Sequence, residues 1–259
     1  MIWNIDPVLL HLGPLEIRYY GVFFALGLLL AYQLGRKLVQ KKNLSLETFD
    51  TLTVYLVIGL IVGARLGHIV FYELDYYLAH PAQILAVWKG GLASHGAAIG
   101  LLISYGIFLW RHKKVKLFDY ADLIVVIACF PVSLIRLGNF FNSELVGRTT
   151  DASWGVVFER VDSLARHPSQ LYEFGMGAVL LAILLPLWLK KYKTAKPGFF
   201  TGLFFVLYFA MRFTVEFFKD FPLHEGFFKL TTGQMLSIPF FLTGVLILIL
   251  QAKGKTLKA

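Results

Sequence analysis

Three arginines lie inside or at the ends of long apolar runs, each with polar partners at helical spacing. Arg212 sits in VLYFAMRFTVEFF with Tyr208 one turn before it and Glu216 one turn after, so a helix stacks all three on one face. Arg136 follows IVVIACFPVSLI and opens RLGNFFNSELVGR (136–148), which gathers Asn139, Asn142, Glu144 and Arg148 around Gly138 and Gly147. Arg65, His68 and Tyr72 in GARLGHIVFY make a third one-sided row, read as supporting structure that snorkels to the membrane interface. A charge at the centre of a membrane helix costs roughly 2.5–3.5 kcal/mol, so such residues face a polar interior and take partners. Two arginines converging on one cavity suit a phosphate, whose oxygens match the planar guanidinium fork. Arg212 with Glu216 is equally readable as an ion pair that only stitches helices together.

Two histidine stretches add proton chemistry. His95 lies in KGGLASHGAAIG, among small residues that let a backbone or a ligand approach it, and an imidazole accepts a proton near neutral pH. His167 lies in RHPSQLYE (166–173) with Gln170, Tyr172 and Glu173, where Ser169 is placed to cap a helix. No HExxH and no GxSxG occurs, which argues against metal hydrolysis and a serine nucleophile.

The elements that must position these residues are membrane helices. Of 259 residues 57% are hydrophobic and only 16% charged, well below the quarter usual in soluble domains. The pattern predicts an all-α integral membrane protein with seven spans, near 19–37, 51–72, 92–110, 119–137, 169–189, 198–218 and 232–251. Pro131 and Pro186 are expected to kink the fourth and fifth. Lys and Arg concentrate after spans one, three, five and seven, which places the C-terminus in the cytoplasm and the N-terminus outside. Lys89 counts towards the outer side in that tally, and Lys255 and Lys258 towards the cytoplasmic one. The net charge of +9 is therefore topological and no sign of nucleic acid. The N-terminal stretch has no Lys or Arg before Arg18, unlike a secretory signal, and is expected to be retained at the interface, with Pro7 and Pro14 preventing one long helix. The single cysteine, Cys129, excludes an intrachain disulfide and reads as a buried hydrophobe. Residues 1–259 form one polytopic domain with a loop elaboration on the outer side at about 138–168, where GVVFER reads as a short strand. Within RLGNFFNSELVGR, Gly138 is expected to end the fourth helix, Phe140 and Phe141 to anchor at the interface, and Arg136 to turn inwards towards Arg212.

On this topology Tyr20, His95, Arg136, Asn139, Glu144, Arg148, His167, Tyr208, Arg212 and Glu216 all reach the outer half of the bundle. The residue chemistry supports an outward polar site for a phospholipid head group. It leaves open whether that lipid is transported, cleaved or bound on a scaffold.

At this point the chain resembles bacterial prolipoprotein diacylglyceryl transferases, over essentially its whole length. The resemblance is carried by Arg136, Gly138, Asn139, Phe140, Asn142, Glu144, Gly147 and Arg148, which complete R-x-G-N-F-x-N-x-E-x-x-G-R. RYYG, GARLG, GGLASHG, HPSQLYE, YFAMRFTVEFF and TTGQMLS agree in order. One departure is Ala97, where the family usually has a second glycine. The resemblance implies transfer of the diacylglyceryl group of phosphatidylglycerol to the lipobox cysteine thiol of a preprolipoprotein signal peptide. A thioether forms and glycerol 1-phosphate leaves, at the outer face of the bacterial cytoplasmic (inner) membrane and without metal or organic cofactor. His95, essential in the family, is the candidate base, with activation of the thiol by the arginines' field as the alternative, and Arg136 and Arg212 are the candidates to hold the phosphate. Asn139 and Glu144 would orient Arg136 or the glycerol hydroxyls, and Tyr208 and Glu216 would position Arg212. Tyr20 would line the cavity, with Gly147, Arg148 and His167 completing the substrate-binding set. A lipid or small-anion transporter would instead show inverted repeats and paired broken helices, and neither is visible.

Overall fold

A computed structural model describes residues 1–13, 15–86, 90–221 and 229–253. Pro14, Lys89, Lys255 and Lys258 lie outside them. The described chain is dominated by helices. These are α1 (Tyr19–Lys41), α2 (Leu46–Tyr72), the short α3 (Leu74–Ala79), α4 (Ser94–Arg111), α5 (Leu117–Ile127), α6 (Cys129–Phe141), α7 (Ser169–Lys191), α8 (Phe199–Val215) and α9 (Thr232–Ala252). Six continuous stretches are long and apolar enough to cross a membrane: Tyr19–Lys41, Leu46–Tyr72, Leu117–Phe141, Ser169–Lys191, Phe199–Phe218 and Thr232–Ala252. Many large apolar side chains on them face outwards, as lipid-facing surfaces require.

The Leu117–Phe141 stretch is broken where the sequence predicts a kink. Helix α5 ends at Ile127 and α6 begins at Cys129. Pro131 has no N–H for the Ile127 carbonyl, and its ring crowds that same group, so the break falls one turn before the proline. Helix α7 instead runs unbroken through Pro186. Asp122, 4% exposed inside α5, serves a different helix: it accepts from the Gly198 and Thr201 amides at 2.7 and 2.8 Å and from the Thr201 hydroxyl at 2.7 Å. A carboxylate there satisfies unpaired N–H groups at the positive end of α8.

Two compact units make up the chain. The first contains 1–38 and 118–259. Its N-terminal stretch is not helical: β2 (Val8–Leu12) and β3 (Leu15–Arg18) form an antiparallel hairpin ahead of α1. β1 (Ile2–Trp3) joins a small sheet with β4 (Val156–Phe158) and β5 (Ala165–Arg166), parallel to β4, which is antiparallel to β5. GVVFER thus contains the expected strand. Phe140 does not anchor at an interface; it is 4% exposed, its ring tilted against Trp3 at 4.3 Å in a core with Val156 and Phe158. Phe141 packs on Tyr19, Phe23 and Trp3. The N-terminal strand provides these rings with a partner surface, so burial outweighs interfacial anchoring. Cys129 is free and buried, as expected.

The second unit, 39–117, is built on α2 and α4. Gly59, Gly63 and Gly67 recur every turn of α2 and meet Gly96, Gly100 and Ser104 of α4. A Cβ on Gly63 would lie 2.7 Å from the Gly100 Cα, so only glycine permits this approach. Ala97 is partly exposed and is not one of these contact glycines, so its methyl leaves the helix pair intact. Arg65 does not snorkel. It is 4% exposed, stacked over Tyr77, and donates to the carbonyls of Gln83, Ile84, Gly90 and Gly91 at 2.5–3.2 Å. Those loop carbonyls need donors, and the guanidinium carries enough for all four.

Candidate active site

In the first unit three cations meet at one carboxylate. Glu173, in the second turn of α7, is 2% exposed. Arg136 of α6 places Nε 3.2 Å from Glu173 Oε2. Arg212 of α8 donates from Nη1 to Oε1 at 3.2 Å, and Lys219, beyond the single 3-10 turn that ends α8, donates from Nζ to Oε1 at 3.0 Å. Lys219 also lies 3.4 Å from Glu216 Oε2. Charges this deep are tolerated only when paired. The arginines differ from the other two partners in one decisive respect. Their side chains keep 19% and 23% exposure, against 2% for Glu173 and 3% for Lys219. The carboxylate and ammonium are sealed, while both arginine side chains stay partly exposed.

Arg136 is held from a second side. Its Nη1 donates to Asn139 Oδ1 at 3.3 Å, and Asn139 Nδ2 donates to Glu144 Oε2 at 3.0 Å. Asn142 Nδ2 donates to the other Glu144 oxygen at 3.1 Å. The Asn139 amide thus presents its oxygen to a cation and its nitrogen to a carboxylate, the one orientation that satisfies both. Helix α6 runs through Gly138 to Phe141 and does not end there. The glycine serves close approach: a Cβ would lie 2.9 Å from Cδ2 of Tyr20. Ser143 and Leu145 then take positive φ values of 55°, turning the signature loop sharply after the helix.

Gly147 threads between two backbones. Its N–H donates to the His167 carbonyl at 2.9 Å and it bridges Lys219, while the Arg148 N–H donates to the Phe218 carbonyl at 3.0 Å. A Cβ at Gly147 would collide with both of those carbonyl oxygens. Ser169 does not cap α7 with its side chain; it is the first helical residue, and its hydroxyl donates to the Leu145 carbonyl at 2.7 Å. Gln170 likewise donates to the Glu144 carbonyl at 2.6 Å, so the first turn of α7 is tied to the signature loop.

Around this seam His167 lies edge-on to Phe218, with Arg148 over the same ring. His167 Nδ1 is 3.0 Å from the Tyr172 hydroxyl, which accepts from Trp154 Nε1 at 2.9 Å. Burial, and then the positive charge of Arg148, hold the His167 pKa below its ordinary value. Arg166 donates to Asp162 and Asp220 at 2.6 and 2.8 Å and to the Gly147 carbonyl at 3.1 Å. Hydrogen bonds from Arg166 and the Leu164 amide lower the Asp162 pKa.

The Tyr208–Arg212–Glu216 row forms on α8 and its 3-10 extension. Glu216 is 2% exposed and rests against Gly233 in the first turn of α9, where a Cβ would collide with the carboxylate. Its close ion pair is with Lys219, while the Arg212 guanidinium reaches Glu173, hydrogen-bonds Tyr208 and still interacts electrostatically with Glu216. His95, the second residue of α4, belongs to the second unit, its ring 5.0 Å from Phe71 and 5.6 Å from Tyr72. A cavity of about 690 Å³ in that unit is bordered by Arg65, His68, Tyr72 and Glu73. Among the described residues no group of three His, Cys, Asp or Glu side chains is placed to hold a metal ion.

Glu173 and Lys219 were not among the residues selected from sequence. The available signal was the need of Arg136 and Arg212 for a counter-charge, with Glu173 the acid in the motif that opens α7.

The fold and site define a polytopic helical membrane protein whose polar centre is a pair of half-open arginines seated on a buried carboxylate. Residues 7–250 match the family model of prolipoprotein diacylglyceryl transferase. The chain belongs to that family. It is 45% identical over 256 residues to the phosphatidylglycerol–prolipoprotein diacylglyceryl transferase of Tolumonas auensis, covering 98% of this chain and 99% of that one. The enzyme of the same name from Chloroherpeton thalassium is 40% identical over 259 residues, covering 100% and 97%. That from Geobacter sulfurreducens is 39% identical over 257 residues, covering 97% of each.

Proposed function

We propose that this chain transfers the diacylglyceryl group of phosphatidylglycerol to the lipobox cysteine of prolipoproteins, the first step of lipoprotein maturation. The observation that carries the reading is the pair of arginines, Arg136 and Arg212, seated on one buried carboxylate with their own side chains partly exposed. Such a pair suits a phosphate that gains charge as it leaves.

In this reading the cysteine sulfur attacks the glycerol carbon that bears the phosphate ester. The S–C bond forms, the C–O bond breaks, and its electron pair leaves on the phosphate of glycerol 1-phosphate. Arg136 and Arg212 stabilise that oxyanion in a low-dielectric site. The thiol proton goes to His95, because a free thiol with a pKa near 8.5 is mostly protonated at neutral pH. Asn139 and Glu144 orient Arg136, and Tyr208 and Glu216 position Arg212. Tyr20, Gly147, Arg148 and His167 shape the remainder of the substrate site.

Helix α4 acts as a seventh span in this reading. Its 18 residues make about 27 Å of helix, close to the hydrocarbon thickness of about 30 Å. The exposed side chains of Ile99, Leu102 and Ile103 suit lipid. The Lys and Arg distribution supports an external N-terminus, a cytoplasmic C-terminus and a site on the outer face of the inner membrane, with 1–259 working as one domain.

The test is direct. Purified protein in liposomes is given phosphatidylglycerol and a lipobox peptide with its cysteine, and the peptide mass and released glycerol phosphate are measured. Mass gain by one diacylglyceryl group with stoichiometric glycerol phosphate is expected. A peptide of unchanged mass, in vesicles where a known transferase modifies it, defeats the reading.

A further inference from the structure

We infer that Glu173 is a positioning residue for transfer: its carboxylate sets the spacing and facing of the Arg136 and Arg212 guanidiniums, and Lys219 holds the carboxylate in place. The inference rests on the transferase reading. Each carboxylate oxygen takes a different arginine, Oε2 from α6 and Oε1 from α8, so one rigid planar group fixes how far apart the two forks stand. Lys219 approaches the same Oε1 at 3.0 Å and is sealed from ligand, whereas the arginines are not.

The seat itself is immobilised. Ser169 and Gln170 bind the first turn of α7 to the carbonyls of Leu145 and Glu144, which lie in the signature loop that follows Arg136. Gly147, in that loop, bridges the backbone of Lys219. The charged side chains in direct contact with this group are Arg136, Arg212 and Lys219 on Glu173, with Glu216 on Lys219. Three cations therefore share two carboxylates. Neutralising Glu173 leaves the three with one, and also frees the guanidiniums to move.

That combination predicts an effect that loss of folding does not produce. Glu173→Gln should lower kcat by about 100-fold, the scale of a misplacement of about 1 Å. At the same time added glycerol 1-phosphate should inhibit several-fold more strongly, because the cluster has gained net positive charge. Glu173→Asp keeps the charge but withdraws it by one methylene. It should lower kcat by about 10-fold and leave glycerol phosphate inhibition near that of the unmodified protein. The experiment measures kcat, KM for phosphatidylglycerol and product inhibition in liposomes, with thermal melting of each variant as the folding control. Unchanged kcat in Glu173→Asp overturns the positioning role. So does Glu173→Gln that melts normally, loses kcat and shows no tighter product inhibition. If Glu173→Gln does not fold, the Asp variant alone decides. An unmodified protein that makes no thioether defeats the transferase reading and this inference with it, whereas active unmodified protein with either overturning result defeats only this inference.

Discussion

Arg136 and Glu173 meet at 3.2 Å from two different helices, and the contact uses the arginine Nε while its Nη1 is committed to Asn139. One guanidinium thus spans two partners at once, and its side chain keeps 19% exposure. A lysine at this position keeps the charge on a flexible stem but loses the planar fork that meets Glu173, Asn139 and a phosphate in fixed directions. Arg136→Lys should therefore retain its charge but lose about 100-fold in kcat/KM, read by mass gain of the lipobox peptide. Near-normal turnover by a well-folded Arg136→Lys protein would show that charge alone suffices.

His95 is tested by the shape of the pH–rate profile. With a histidine base, His95→Gln should remove the acid limb of the kcat/KM profile along with most of the rate. If the acid limb persists unaltered in the variant, the thiol is activated by another group.

Gly147→Ala should destabilise the seam between the signature loop, His167 and Phe218, because the added methyl meets two carbonyl oxygens. Overpacking of this kind costs about 1–3 kcal/mol. A lowered melting temperature in detergent is the expected readout, and an unchanged one would mean the seam is slack.

Arg148 lowers the His167 pKa, second to burial. Arg148→Gln should move the His167 titration midpoint upwards in an NMR experiment. The sign for stability follows. A histidine with a depressed folded pKa contributes fully above its unfolded value of about 6.5, and that contribution falls away as pH drops from there to the folded pKa. His167→Gln should flatten stability across that window.

Asp162 behaves as a depressed carboxylate, held down by Arg166 and the Leu164 amide. Its contribution is present above the unfolded pKa of about 3.9 and is lost as pH falls through the lower folded value. Asp162→Asn should therefore melt below the unmodified protein at pH 6, with the gap closing below pH 4. A gap that persists in acid would assign the effect to packing.

Much of the architecture was legible in the residues. Apolar runs of span length, the proline before which α5 gives way to α6, the strand in GVVFER and the polar row on α8 follow from local periodicity and backbone chemistry, which act within a few residues. Local rules failed where a distant segment intervened. Gly138 reads as a helix stop, yet Tyr20 of α1 needs the space its missing side chain leaves. Phe140 reads as an interfacial anchor, yet β1 brings Trp3 to cover it. Arg65 reads as snorkelling, yet the chain beyond α3 brings it the carbonyls of Gln83, Ile84, Gly90 and Gly91.

That this is a helical membrane protein with two arginines in need of a counter-charge follows from residue types, because hydrocarbon length and the cost of burying charge depend on them alone. The residues also carry the family signature one by one. Which acid answers those arginines depends on packing. Glu216, the helical neighbour of Arg212, turns to Lys219, and Glu173 from another helix takes both guanidiniums. Helical spacing decides which residues share a face, whereas the pairing of charges across helices depends on how those faces pack.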